Sequence, residues 1–221
     1  VLVTSFEEFV ETFGGFTPNS DLALAAFAFF ENGGQILWVV RTVHYTDINT
    51  AASKTSAAAT LTLNDRATTP VPTIKGDAKW DGAYANDIRA VIAAATSGDA
   101  REFNLTVEDN GLVTEVFPNL SMDAAKENYV ETAVNHPDRG SNLIKVDDLS
   151  SATAAPANLP ALGTFGPLTG GGDGLTSLAD IDFIGSSASK TGMRALDIVQ
   201  DISLLIVPGR ATSAVHNAMI S

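Results

Sequence analysis

Four glycines in five residues, Gly170-Gly171-Gly172-Asp173-Gly174, stand sixteen residues before a Lys-Thr pair at Lys190-Thr191. Residues of those types can cradle a phosphate, but only where a strand runs into the loop and a helix leaves it with its first amides aimed at the anion. Here the approach is "APANLPALGTFGPLT", broken by Pro156, Pro160 and Pro167. The spacing G-x-G-x-x-G fails at Ser177, and in "IGSSASKT" Lys190 follows Ser189 where the triphosphate loop needs glycine. The run therefore reads as a flexible turn.

Other candidate chemistry is thinner still. Asp173, Asp180 and Asp182 could offer carboxylate oxygens to a hard cation, but calcium loops space their ligands more tightly and regularly, so these residues read as caps and flanks. His44, His136 and His216 fall in no H-E-x-x-H pattern, and no G-x-S-x-G elbow presents a serine nucleophile. One anion site remains open, since ligands of open α/β sheets bind beyond the carboxyl ends of strands, where Arg41 with His44 and Pro208-Gly209-Arg210 would stand. Against it, arginines amid so many carboxylates pair with them. The reading assigns no catalytic, cofactor-binding or metal-ligating residue.

Bulk properties narrow the classes further. The 221 residues carry 26 Asp+Glu against 13 Lys+Arg, a net charge of −13, which repels phosphate backbones and anionic membranes. No cysteine is present, which removes disulfides and thiolate chemistry. The longest apolar run, Leu22 to Phe30, is far short of a membrane span. "VLVTS" opens mid-strand and "ATSAVHNAMIS" stops within a helical pattern, so both ends read as cut from something longer.

The elements that would position these residues alternate at both ends. Ser5 and Glu8 make a capping box, Phe6, Phe9, Val10 and Phe13 share one helix face, and Gly14-Gly15 end it. A second helix runs from Asn19 or Ser20 to Glu31. Gln35–Thr42 then reads as a buried strand of a parallel sheet. After Tyr45 the composition turns small and polar, and strands follow at Ala59–Asp65 and Thr73–Trp80. Ile88–Ala95, Arg101–Glu108 and Leu112–Pro118 form a meander with a hairpin marked by Asn110-Gly111. A helix over Ser121–Val134 and a strand over Ser141–Asp148 complete an antiparallel α+β unit. Beyond a proline-rich connection, Arg194–Gln200 reads as helix, Asp201–Gly209 as a second buried strand, and a helix closes the chain. The expected fold is an α/β core domain, a mixed sheet with helices on both faces, interrupted by an inserted β-rich α+β domain. The expected boundaries are 1–45 and 156–221 for the core and 46–155 for the insertion. The two buried strands would lie side by side in one sheet.

The order of these segments resembles a known family. "SFEEFVETFGG", "FFENGG" and "LWVVRT" at one end, and "LTGGGDGL", "DFIG", "KTGMRALD" and "ISLLIVPGRATSAVHNAM" at the other, are similar to the core domain of contractile bacteriophage tail sheath proteins. The middle, from "TLTLNDR" to "SNLIKV", is similar to the β-rich domain inserted in that core. The resemblance implies a structural protein rather than an enzyme, with no cofactor. Such subunits form stacked hexameric rings around the tail tube and contract to drive it through the target cell envelope. Implied partners are other sheath subunits, joined by terminal arms that add strands to a neighbour's sheet, together with the tail tube, baseplate and tail terminator. Neither nucleic acid nor membrane is implied. The implied location is the virion's tail, assembled in the host cytoplasm of a phage or prophage, and related sheaths occur in R-type pyocins. Both arms are missing from this sequence, so the fragment is expected to be monomeric in isolation. Two other classes stay open: an α/β ligand-binding protein or enzyme with an anion site near Arg41 and Arg210, and an adhesion module using Ile88 to Pro118.

Overall fold

A computed structural model describes Val1 to Ile220. The fold class is α/β, with short helices and three antiparallel sheets. The chain divides into two compact units, one formed by residues 1–55 with 174–221 and the other by 56–173. These limits lie downstream of the expected breaks at 45 and 155.

In the first unit, β1 (Leu2–Val3) pairs antiparallel with β2 (Leu37–Trp38). Between them lie α1 (Phe6–Phe13) and α2 (Leu22–Glu31). Half of the expected capping box forms: Ser5 Oγ accepts from the Glu8 amide at 3.1 Å. The Glu8 carboxylate accepts in turn from the Thr4 amide at 2.7 Å, one residue before the cap. Phe9 is buried and packs between Phe6 and Phe13, with ring centroids 5.9 and 5.3 Å away. Helix α2 is apolar around its circumference, yet only Ala23 and Ala26 are buried, and Leu24 is 59% exposed.

The second unit starts with β3 (Thr60–Asn64) and β4 (Pro72–Ala78), and continues with β5 (Ile88–Ala94), β6 (Glu102–Asp109) and β7 (Leu112–Ser121). A single-turn helix α3 (Val130–Val134), β8 (Ile144–Asp148) and β9 (Gly163–Phe165) follow. One sheet has the order β3-β4-β8, the other β7-β6-β5-β9. Period-2 alternation sends Ile88, Ala90 and Ile92 of β5 and Phe103, Leu105 and Val107 of β6 into one core with Leu63, Ile74, Ile144 and Val146. At the hairpin tip Asn110 and Gly111 have φ of 50° and 77°, the mirror-image turn that matches strand twist.

Two expectations change here. The helix over Ser121–Val134 shrinks to its last turn, because Ser121 and Asp123 capture nearby amides: Ser121 Oγ accepts from Asp123 and Asp123 Oδ1 from Ala125. The proline-rich connection is not a linker. Its β9 pairs with β5, and Leu159 and Leu168 are buried in the core. The second unit therefore extends to Asp173.

The chain closes in the first unit with α4 (Asp180–Ile184) and α5 (Ser213–Met219). Arg194–Gln200, expected as helix, gives only a 3-10 turn over Gly192–Leu196. Asp201–Gly209 forms no strand, and Gln35–Thr42 contributes only β2, so the parallel pair expected of them is absent. The physical reason lies in coverage. A strand with apolar residues on both sides needs layers on both faces, and Leu204 is 75% and Ile206 49% exposed.

Candidate functional site

Four of the polar residues singled out above, His44, Asp180, Asp182 and Arg210, meet around α4, within the first unit. Asp182 is fully buried (0% exposed) because the first turn of α4 folds its side chain back over the helix entrance. Its carboxylate accepts from the Ala179 amide at 2.9 Å, the Tyr45 amide at 3.0 Å and His44 Nδ1 at 3.1 Å. Burial pushes this carboxyl up, but the two amides and the imidazole outweigh it and hold it below the usual aspartate value. The result is a clasp between two distant stretches of chain. The His44 amide adds a 2.8 Å bond to the Gly174 carbonyl.

Asp180, two residues earlier, faces a different partner. Arg210 Nε donates to its Oδ1 at 2.7 Å, and the guanidinium lies 5.1 Å from the centre of the Phe183 ring. The Arg210 bond, then one from Thr212, lowers the Asp180 pKa. Arg210 is thus committed to its own chain, as the bland reading of the anion site required. Arg41 is exposed on the other stretch.

The Lys-Thr segment closes on itself. Thr191 is buried, its Oγ1 accepts from the Ser186 amide at 3.0 Å, and its amide donates to the Ser186 carbonyl at 3.2 Å. Ser186 and Ser189 both donate to Asn49. Gly185, at φ 78°, backs directly onto the Thr191 carbonyl, leaving no room for a Cβ. This is a packed turn, closed by bonds within its own chain.

The glycine run is likewise consumed by backbone pairing, within the second unit up to Asp173. Thr169 exchanges two bonds with Thr60, and Gly172 exchanges two with Ala57. The Gly171 amide donates to Asn86 Oδ1 at 2.9 Å while its carbonyl accepts from Asn86 Nδ2 at 3.0 Å. A Cβ at Gly171 would strike the Gly82 carbonyl, so glycine is required there by close approach of two backbones. Asp173 Oδ1 accepts from the Ala83 amide at 2.9 Å. The Gly171 and Gly172 amides, at the centre of the run, are thus already in use. The three aspartates serve three separate networks, and among the described residues no group of three or more His, Cys, Asp or Glu gathers to hold a metal ion.

The remaining histidines are apart from this region. His136 accepts from the Asp138 amide at 3.2 Å in a turn of the second unit, and His216 is exposed on α5. Sequence reasoning missed Asp65, which is 1% exposed and organises the β3–β4 turn. It accepts from the Ala67 and Val71 amides at 3.2 and 3.1 Å and from Ser151 Oγ at 2.8 Å. A bond from Thr153, acting with these against the cost of burial, brings its pKa down to about 2.

No family model and no curated protein matches the sequence. Among solved structures the fold is similar to the sheath tail protein of Listeria innocua, at 15% identity and a TM-score of 0.53, over 100% of this chain and 39% of that one. A sheath tail protein of Desulfitobacterium hafniense matches at 15% identity with a TM-score of 0.43, over 90% of this chain and 36% of that one. The chain thus spans about two fifths of the length of the first. The first is a likeness of fold.

Proposed function

We propose that this chain is a structural subunit of a contractile phage tail sheath. In this reading it polymerises as stacked hexameric rings around the tail tube and contracts to drive the tube through the target cell envelope. It is not an enzyme and needs no cofactor. Its partners are other sheath subunits, the tail tube, the baseplate and the tail terminator, and its place is the virion's tail, assembled in the bacterial host cytoplasm.

The sheath-like fold supports the reading, and one observation carries it. "ISLLIV" (Ile202 to Val207) is a strand sequence with no strand partner among the described residues, and most of its aliphatic side chains are exposed. Backbone that pairs in no sheet, flanked by exposed aliphatic side chains, is what a chain presents where another chain is meant to pair. Exposed Leu24 and Phe27 on α2 add apolar surface of the kind that marks protein contacts. A mechanical polymer stores its free energy in such contacts, which become better satisfied in the contracted lattice.

The test is localisation by electron microscopy. A gold-labelled antibody against this chain, applied to tail particles from the cell that encodes it, is expected to mark regular rings along the shaft. Label confined to fibres, or absent from tails, would overturn the reading. The alternative, an anion site near Arg41 and Arg210, is set back by the commitment of Arg210 to Asp180. A thermal-shift screen with nucleotides, sugar phosphates and divalent ions decides it, because a tight ligand raises the melting temperature by mass action.

A further inference from the structure

We propose that Asn110 is a site of spontaneous covalent modification, through which the β6–β7 hairpin converts its own amide into a carboxylate. The chain holds two Asn-Gly pairs in exposed positions, Asn32-Gly33 after α2 and Asn110-Gly111 at the hairpin tip. Glycine on the carboxyl side leaves the following amide sterically open, so both pairs have the composition for attack of backbone nitrogen on the side-chain carbonyl. The structure separates them.

At Asn32 every participant is held. The Gly33 amide, which would be the nucleophile, donates to the Phe30 carbonyl at 3.0 Å, and the Asn32 carboxamide donates to the Ala28 carbonyl at 2.7 Å. Gly34 donates to Phe29 at 2.9 Å and abuts its ring, which fixes the end of the helix. At Asn110 the Gly111 amide makes no hydrogen bond, and the carboxamide meets only its neighbour Asp109, at 3.1 Å. Opening the tip costs little, since Leu112 and Val113 are exposed and nothing buried must be released.

The reaction needs only solvent water. The Gly111 nitrogen bonds to Cγ of Asn110, its proton passes to water or hydroxide, and the side-chain nitrogen leaves as ammonia, giving a five-membered imide. Addition of one water then opens either C–N bond, to aspartate or to the isoaspartyl linkage. Net, an amide and water become a carboxylic acid and ammonia. The product carries three consecutive acidic residues at 108–110. The isoaspartyl form adds a methylene to the backbone, so the two-residue loop no longer closes the Asp109–Leu112 register.

The folded chain is incubated in mildly alkaline buffer, digested with trypsin and sequenced by fragmentation mass spectrometry. Residues 102–126 and 1–41 then report the two sites on separate peptides. Conversion at Asn110 about tenfold faster than at Asn32 is expected, with the ratio falling towards one in denaturant, where the local openings no longer differ. An N110D variant, which leaves the turn chemistry in place, must lose the mass gain at that peptide. Equal rates, faster conversion at Asn32, no conversion at either site, or a ratio unchanged in denaturant would each overturn the proposal.

Discussion

The two units treat the same kind of residue in opposite ways. In the second, the aliphatic side chains of β5 and β6 interlock with those of β3, β4 and β8, and the loop polar groups close on one another around Asp65. In the first, apolar runs of comparable strength are covered less completely: Leu24 and Phe27 of the run Leu22 to Phe30, and most of Ile202 to Val207, lie exposed. What differs is supply of partners: the second unit finds two opposed sheets in its own chain, whereas the first has one two-stranded ribbon. The lesson is that apolar patterning reports a need for cover without saying which molecule supplies it.

The strongest way to break this comparison is to open the closed unit. Phe103, fully buried between the sheets, is expected to cost about 3–5 kcal/mol on substitution by alanine. Urea unfolding followed through hydrogen exchange of β5 and β6 checks it, and a cost under about 1 kcal/mol would mean that the core is looser than its burial implies. The matching test of the first unit is Asp182→Ala. It takes the acceptor away from the half-buried amides of Ala179 and Tyr45 and removes the His44 bond, for an expected loss of about 1–3 kcal/mol. An unchanged melting transition would show that the clasp is ornamental.

Acid titration sharpens the contrast through Asp65. Its folded pKa of about 2 lies below the ordinary 3.8, so its contribution is fully present above the ordinary value and is lost as pH falls through the folded one. Asp65→Asn should lower the melting temperature at neutral pH and flatten its fall over that acid window. Parallel acid limbs for the variant and the parent would contradict the assignment. The smallest expected effect is a gain. Gly76 lies in β4 beside a small apolar void, and an added Cβ would meet only the Leu61 carbonyl, at 3.8 Å. Gly76→Ala should stabilise by roughly 0.4–1 kcal/mol, readable in the urea midpoint.

Local signals were legible wherever the deciding partners lie within a few residues. Ser5 and Glu8 announced the cap of α1, and Asn110-Gly111 announced the hairpin, because both depend on backbone geometry next door. Ser121–Val134 was misread because side-chain capture of amides by Ser121 and Asp123 competes with helix, and composition alone does not decide that contest. The role of Asp65 was invisible, since its donors come from positions 67, 71, 151 and 153. Asp182 and His44 were noted separately, but 138 residues separate them and no spacing rule links them. For Asp201–Gly209 the pattern stated a need for burial that the described residues leave unmet.

The central claim is that Ile202 to Val207 waits for another chain. Hydrogen exchange of those amides, compared between the chain alone and the chain within purified tail particles, tests it most directly. The account predicts fast exchange in the free chain and strong protection in the particle. Equally fast exchange in both states, or slow exchange already in the free chain, would contradict it.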